Sequence, residues 1–374
     1  MEDHSPRKEV ADIITEVSAD IGLPTRKVVL ISVFRHNVIG GISVHSTNLY
    51  NRLQELEAKV GRVDFSGLIT APGLLRKLLV ILGVGFQLIG QRLNGAKIFH
   101  FHASNRAIMY FLYAPLLWLL GGRILLSIHS GYGYDKFMGE RWEYRTLSRF
   151  GFRFLHRLIF MNPEERDRIA RRFPFLEGKV ISVNPFIAPK TAYVRAVREQ
   201  RPAPDETFRV AVIGNWAKRY NVEEAFRAAL AFRRRQDVPV RVTILQSSNM
   251  RDTSYQQRLE EEFNLTRNEM NVEVYEDRSD VLEILAMHDV LIRPSVLDSY
   301  GLSVAESLLV GTPAIATSVC RRCDQALLYE LGDIDAVVDH LQTVYDNRGG
   351  AVKKLLNDSE DSFYDYLAEY VKIK

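Results

Sequence analysis

Two cysteines in 374 residues leave this chain without a disulfide framework. They are Cys320 and Cys323, a single C-x-x-C around Arg321 and Arg322. That spacing offers two ligands where a structural zinc needs four, and no nearby histidine cluster completes it, so two reduced thiols in a reducing compartment are expected. Long apolar runs are missing too. The longest, Ile108 to Leu120, has 13 residues and includes Pro115, short of the roughly 20 that span a bilayer. The opening Met1-Glu2-Asp3-His4 is polar and acidic, unlike a signal peptide. Nor is there a large excess of one charge: a net of +3 and 47% apolar residues suit a soluble globular protein.

What is present is enough chain for two domains, since single cores rarely grow past about 250 to 300 residues. The small net charge hides a split. Residues 1–190 carry 26 Lys+Arg against 16 Asp+Glu, and residues 191–374 carry 23 against 30. A basic half joined to an acidic one predicts that the first faces something anionic. Both halves alternate β-branched apolar runs with helical patterns, the signature of parallel sheets. A leading amphipathic helix is read at 8–20. Val28 to Phe34 is the first central strand, Lys97 to His102 and Arg123 to Ile128 follow, and Phe208 to Ile213 opens the second half. Arg195 to Pro204 reads as a charged linker. The expected class is α/β, with a domain at 1–188, another at 205–360, and a helix at 361–374 packing back across the domain boundary.

Residues 291–317, LIRPSVLDSYGLSVAESLLVGTPAIAT, are the most informative stretch. Leu291 and Ile292 end a strand. A helical pattern opens near Leu302, Gly311 and Pro313 stop it, and Ala314 to Thr317 is the next buried strand. Asp298 stands before the helix and Glu306 inside it. Between them, the amides of Ser299, Tyr300, Gly301, Leu302 and Ser303 sit at a helix N-terminus, whose unpaired donors and dipole favour an anion. Read alone, this is a Rossmann-like crossover with a cap and a surface acid.

The spacing of Asp298 and Glu306 resembles the E-x7-E motif of the retaining glycosyltransferases of family 4, nucleotide-sugar enzymes of the GT-B fold. The resemblance implies two Rossmann-like domains across a deep cleft, and transfer of a hexose from a nucleotide diphosphate sugar to a growing glycan in cell-surface polysaccharide or glycoconjugate biosynthesis. It gives Glu306 to the donor ribose and places Asp298, one methylene shorter than the family's usual acid, beside the sugar ring. Gly40 and Gly41 match the paired-glycine loop that faces the donor phosphate. His129 matches a histidine near the donor sugar. In the loop after Ile213 the match is partial. Gly214 is in place, but Asn215 stands where the family has arginine, and Lys218 and Arg219 are the only nearby cations for the diphosphate. The catalytic set is therefore Asp298, His129 and Glu306.

Open α/β sheets bind ligands beyond the carboxyl ends of their strands. His102 and Ser130 sit at two such ends and are assigned to the acceptor, with His100 placed on the other face of its strand. Arg149, Arg153 and Arg157, interleaved with aromatics, suit an anionic membrane surface. The expected partners are a nucleotide-sugar donor, a glycan or lipid-linked glycan acceptor, and that surface; nucleic acid is not. No cofactor and no metal are expected, and the D-x-D at Asp333 is read as a helix cap. The expected location is cytoplasmic, peripheral on the inner face of the membrane. The alternatives are a GT-B nucleotide-sugar 2-epimerase and a non-catalytic nucleotide-sugar or glycan-binding protein.

Overall fold

The computed structural model describes residues 26–34, 40–103, 108–129, 146, 149–248, 252–266, 268–348 and 362–373. The expected helix at 8–20 and Ser130 lie outside them. Among the described residues, twelve strands form two fully parallel sheets of six. The first contains β1 (Lys27–Ser32), β2 (Val60–Asp64), β3 (Ala96–Ala103), β4 (Arg123–Ile128), β5 (Arg157–Phe160) and β6 (Val180–Ser182), in the order β2-β1-β3-β4-β5-β6. The second contains β7 (Phe208–Ile213), β8 (Val240–Gln246), β9 (Asn271–Glu276), β10 (Val290–Arg293), β11 (Ala314–Thr317) and β12 (Leu327–Tyr329), in the order β12-β11-β10-β7-β8-β9. The strand order reverses between β1 and β3 and between β7 and β10. Those two switch points are where ligands enter doubly wound folds.

Each sheet is buried on both faces, which is why its central strands are continuous apolar runs. In the first, Val29, Ile31, Phe99 and Phe101 pack under the helices Leu74–Leu93 and Ile108–Leu119. Val28, Leu30 and Ile98 face the helices Gly41–Glu55 and Phe363–Lys372 instead. The last helix follows the second domain in sequence but seats Phe363, Tyr366, Leu367 and Tyr370 in the core of the first. Arg157 of β5 donates to Glu369 of that helix at 2.7 Å. This guanidinium, expected at a membrane surface, is therefore an internal tie.

Two readings of the sequence are corrected. The charged stretch read as a linker, Arg195 to Pro204, begins as the second half of a helix, Thr191–Glu199, with Val194 and Val197 buried in the second domain, and only the residues after Glu199 run without helix or strand. Arg198 Nε donates to the carbonyl of Leu309 at 2.6 Å, and Arg201 donates to that of Gly311. Both satisfy carbonyls at the end of the helix Leu302–Leu309, where cations are favoured. The second correction concerns β3. His100 and His102 share a face, their rings 4.1 Å apart, because residues two apart on a strand point the same way. Asp333 does cap a helix, accepting from the amide of Ala336 at 3.0 Å.

Candidate functional site

The second switch point carries a buried electrostatic knot. Arg293, the last residue of β10, donates through Nη1 to the carbonyl of Ile213 at the end of β7, 2.6 Å away. Its Nε reaches Asp298 Oδ2 at 3.0 Å, and Arg322 Nη1 reaches the same oxygen at 2.8 Å. Asp298 Oδ1 accepts from the amide of Ser299. Burial alone would raise the Asp298 pKa, but Arg293 and Arg322 outweigh it and hold the carboxyl at about 2. Asp298 is thus a fully engaged anion between two guanidinium groups.

Glu306 differs in kind. It projects from the helix Leu302–Leu309, half-buried, and makes no hydrogen bond or ion pair among the described residues. Burial pushes its pKa up to about 7, against the pull of Arg293. The helix begins at Gly301, whose φ of +80° is left-handed and favours glycine. A Cβ there would also collide with the Arg322 guanidinium. The hydroxyls of Ser303, in the first turn of that helix, and Ser295, after β10, are buried without a hydrogen-bond partner. Buried polar atoms are normally satisfied. Glu306 and the Ser303 hydroxyl thus stand without partners on one helix, whose start has no side-chain cap and borders the groove facing Gly41 of the first domain.

The other predicted residues divide. Gly214 lets β7 turn closely: a Cβ there would stand 3.0 Å from Tyr220 Cβ. Asn215 is committed to the fold, its Oδ1 accepting from the amide of Ser247 at 2.7 Å. Lys218 and Arg219 form an exposed turn beside the groove, and the carbonyl of Arg219 accepts from Val296. The side chain of Tyr300 points away from the groove. Its hydroxyl accepts from Asn184 of the first domain at 3.0 Å and lies 3.1 Å from Cys323 Sγ. Both cysteines are free, and burial pushes the Cys320 thiol up to about 12.

Across the cleft, Gly40 and Gly41 open the helix Gly41–Glu55, and Gly41 lies against Leu302, with 3.4 Å from its Cβ position to Leu302 Cδ1. The paired glycines and the helix start of the second domain therefore meet face to face. Beside them, His102 Nδ1 is 3.1 Å from His129 Nε2. Both rings pack on His45, whose Nδ1 bonds the carbonyl of Pro185 at 2.5 Å. Desolvation holds His102 and His129 well below the ordinary histidine pKa and His45 at about 4, so all three are neutral imidazoles.

Arg293, Arg322 and His45 were not found in the sequence. His45 carried a signal, since it precedes Leu49 and Leu53 by four and eight on the buried helix face. Arg293 at the end of an apolar strand was a second. For Arg322, inside the C-x-x-C, there was none.

Residues 194–359, the second domain, match the family model described as glycosyl transferases group 1. No curated protein matches the chain by sequence. Among solved structures, the chain is similar to the catalytic domain of starch synthase IV from Arabidopsis thaliana bound to ADP and acarbose (13% identity, 94% of this chain and 99% of that one, TM-score 0.66). It is similar to HepE from Anabaena in complex with UDP-glucose (10% identity, 92% and 98%, TM-score 0.65). A third is sucrose-phosphate synthase from Thermosynechococcus elongatus (14% identity, 93% and 94%, TM-score 0.62). At these identities the likeness is one of fold, and the fold is GT-B: two facing Rossmann-like domains over nearly the whole chain.

Proposed function

We propose that this protein is a retaining glycosyltransferase that moves a hexose from a nucleotide diphosphate sugar to a growing glycan. The observation that carries the reading is Glu306, a half-buried carboxylate without an internal partner in the second turn of the helix Leu302–Leu309, on the donor side of a GT-B cleft. Its two oxygens suit the paired hydroxyls of a ribose. The amides of Gly301, Leu302 and Ser303 suit the diphosphate, with Lys218 and Arg219 at the rim. Support comes from the match of residues 194–359 to the glycosyltransferase model and from the UDP-glucose and ADP named for structural neighbours.

In such a transfer the departing nucleotide diphosphate gains charge while the sugar becomes oxocarbenium-like. Fixed cations and oriented amides stabilise that charge with no reorganisation at the moment of reaction. Arg293, anchored to Ile213 and Asp298, and Lys218 and Arg219 can supply it from the protein itself. His129, neutral and held by His102, borders the place of the sugar from the first domain. Asp298 acts through Arg293 and Arg322, holding them in position, rather than by touching the sugar. The acceptor is a glycan, lipid-linked, taken on the cytoplasmic face of a membrane.

The test is a donor-hydrolysis and transfer assay over a panel of nucleotide sugars, with the anomeric configuration of product read by NMR and a chelator arm. Retained configuration and turnover undiminished by chelator are expected. Inverted product, or strict dependence on a divalent metal, would remove this mechanism. An acceptor-independent epimeric nucleotide sugar would assign an epimerase instead.

A further inference from the structure

The helix Leu74–Leu93 carries apolar residues on two opposite sides. Val84 and Leu88 are buried against the first sheet, as a crossover helix requires. On the opposite side Leu75, Leu79, Leu82, Phe86 and Leu93 fall within about 60° of arc on a 3.6-residue helix and form a stripe about 27 Å long. All five are exposed, Leu79 to 60% and Phe86 to 73%, and nothing among the described residues covers them. The stripe continues onto the neighbouring helix Ile108–Leu119 through Leu112, Trp118 and Leu119, the last 74% exposed, and onto Phe150. Gly85 packs on Tyr113, and Arg92 Nε donates to the carbonyl of Leu120 at 2.8 Å, which fixes these surfaces as one face. Soluble monomers rarely show a patch of this kind without a use for it.

By length and composition the helix could cross a bilayer, but its connections forbid it. It runs from the carboxyl end of β2 to the amino end of β3, and both strands pair with β1. Spanning would tear the sheet. The stripe can only lie along a surface.

The charges identify that surface. Between Asp64 and Asp135 the chain has no acidic residue, while Arg76, Lys77, Arg92, Lys97 and Arg123 are basic. Beside Trp118, a cavity of about 320 Å³ is bordered by Arg153 and Lys179, and by Arg157 and Lys372, which both pair with Glu369. At its wall, burial and then Arg123, Lys179 and Arg157 hold the His156 pKa at about 4. An apolar face flanked, among the described residues of 65–129, by cations and no acid matches acyl chains beneath anionic phosphate headgroups. We infer that the outward face of the helix Leu74–Leu93, with Trp118, Leu119 and Phe150, inserts into the headgroup region of an anionic leaflet. The start of the stripe lies at the carboxyl edge of the sheet, the cleft side, so the protein docks with its cleft at the lipid surface. This deepens the proposed function by making the acceptor a lipid-linked glycan, and only that clause depends on it.

The experiment is flotation of the full chain with vesicles of phosphatidylcholine alone or mixed with phosphatidylglycerol, alongside quenching of tryptophan fluorescence by brominated lipid. Expected are binding to the anionic vesicles that weakens with salt, quenching lost in Trp118→Phe, and a partition coefficient at least tenfold lower in Leu79→Glu/Leu82→Glu. Circular dichroism and melting confirm that this exposed pair leaves the fold intact. Absence of binding at low salt overturns the proposal. So does unchanged partitioning of the double variant, or a dimer in solution that the double variant dissolves, which would make a second copy the occupant. Vesicle binding needs no nucleotide sugar, so failure of every donor in the transfer assay would strike the proposed function and leave this result standing.

Discussion

Arg322 donates from Nη1 both to Asp298 Oδ2 at 2.8 Å and to the carbonyl of Tyr300 at 2.9 Å, with a side chain that exposes no surface. Arg293 approaches the same carboxylate from β10. Two guanidinium groups, one fully buried and one nearly so, thus close on a single carboxylate oxygen, and the loop that presents the helix start is built on them.

Asp298→Asn should therefore act first on stability. Removing the charge leaves two buried guanidinium groups uncompensated, a loss of about 3 kcal/mol where one partner of a buried pair is deleted. Denaturant unfolding of the variant should show it, and Asp298→Asn/Arg322→Met should recover part of the loss, since the two sites couple. A variant as stable as the parent but slow in turnover would return Asp298 to the sugar ring.

Glu306→Ala should weaken nucleotide binding by about 1.5 to 3 kcal/mol, the range for hydrogen bonds to a charged group, and leave unfolding nearly unchanged at pH 5. Calorimetric titration with the nucleotide measures the first. Unchanged affinity would show that the ribose is held elsewhere.

The raised pKa of Glu306 also has a sign. A folded value of about 7 against 4.5 unfolded means that folded protein binds the extra proton between those values. Stability from this group is complete below 4.5 and lost as pH rises through 7, about 3 kcal/mol in all. Glu306→Gln should accordingly stabilise the free protein at pH 8 and do little at pH 5. Equal melting shifts at the two pH values would contradict the burial argument.

The histidines pull the other way. His45, His100, His102 and His129 have folded pKa values below 6.5, each lowered chiefly by desolvation. Their contribution is present above pH 6.5 and is lost as pH falls below it, at up to about 1.4 kcal/mol per histidine per unit. Four groups outweigh the opposing carboxylates Glu306 and Asp365, both raised by burial, so the protein should lose stability steeply between pH 6.5 and 5. Unfolding series at several pH values should show that slope, and it should lessen in His102→Phe.

The sequence alone determined the layered plan. The runs Phe208–Ile213, Val240–Gln246 and Arg123–Ile128 were legible to the residue because strands buried on both faces must be apolar throughout. Gly311 and Pro313 marked the end of the key helix for equally local reasons. The spacing of Asp298 and Glu306 drew attention to the helix Leu302–Leu309 and the loop before it. What each acid does was decided only by tertiary structure. Arg293 and Arg322 come from a strand end and a distant loop, and no local rule says that both will close on Asp298 and leave Glu306 open. Tyr300 turning to Asn184, and Asn215 to Ser247, are choices of the same kind. So is the fate of two apolar helix faces: the composition of Leu74–Leu93 cannot tell which face meets the sheet. Periodicity and turn chemistry are properties of neighbours along the chain, whereas desolvation and charge pairing depend on residues that only folding brings together.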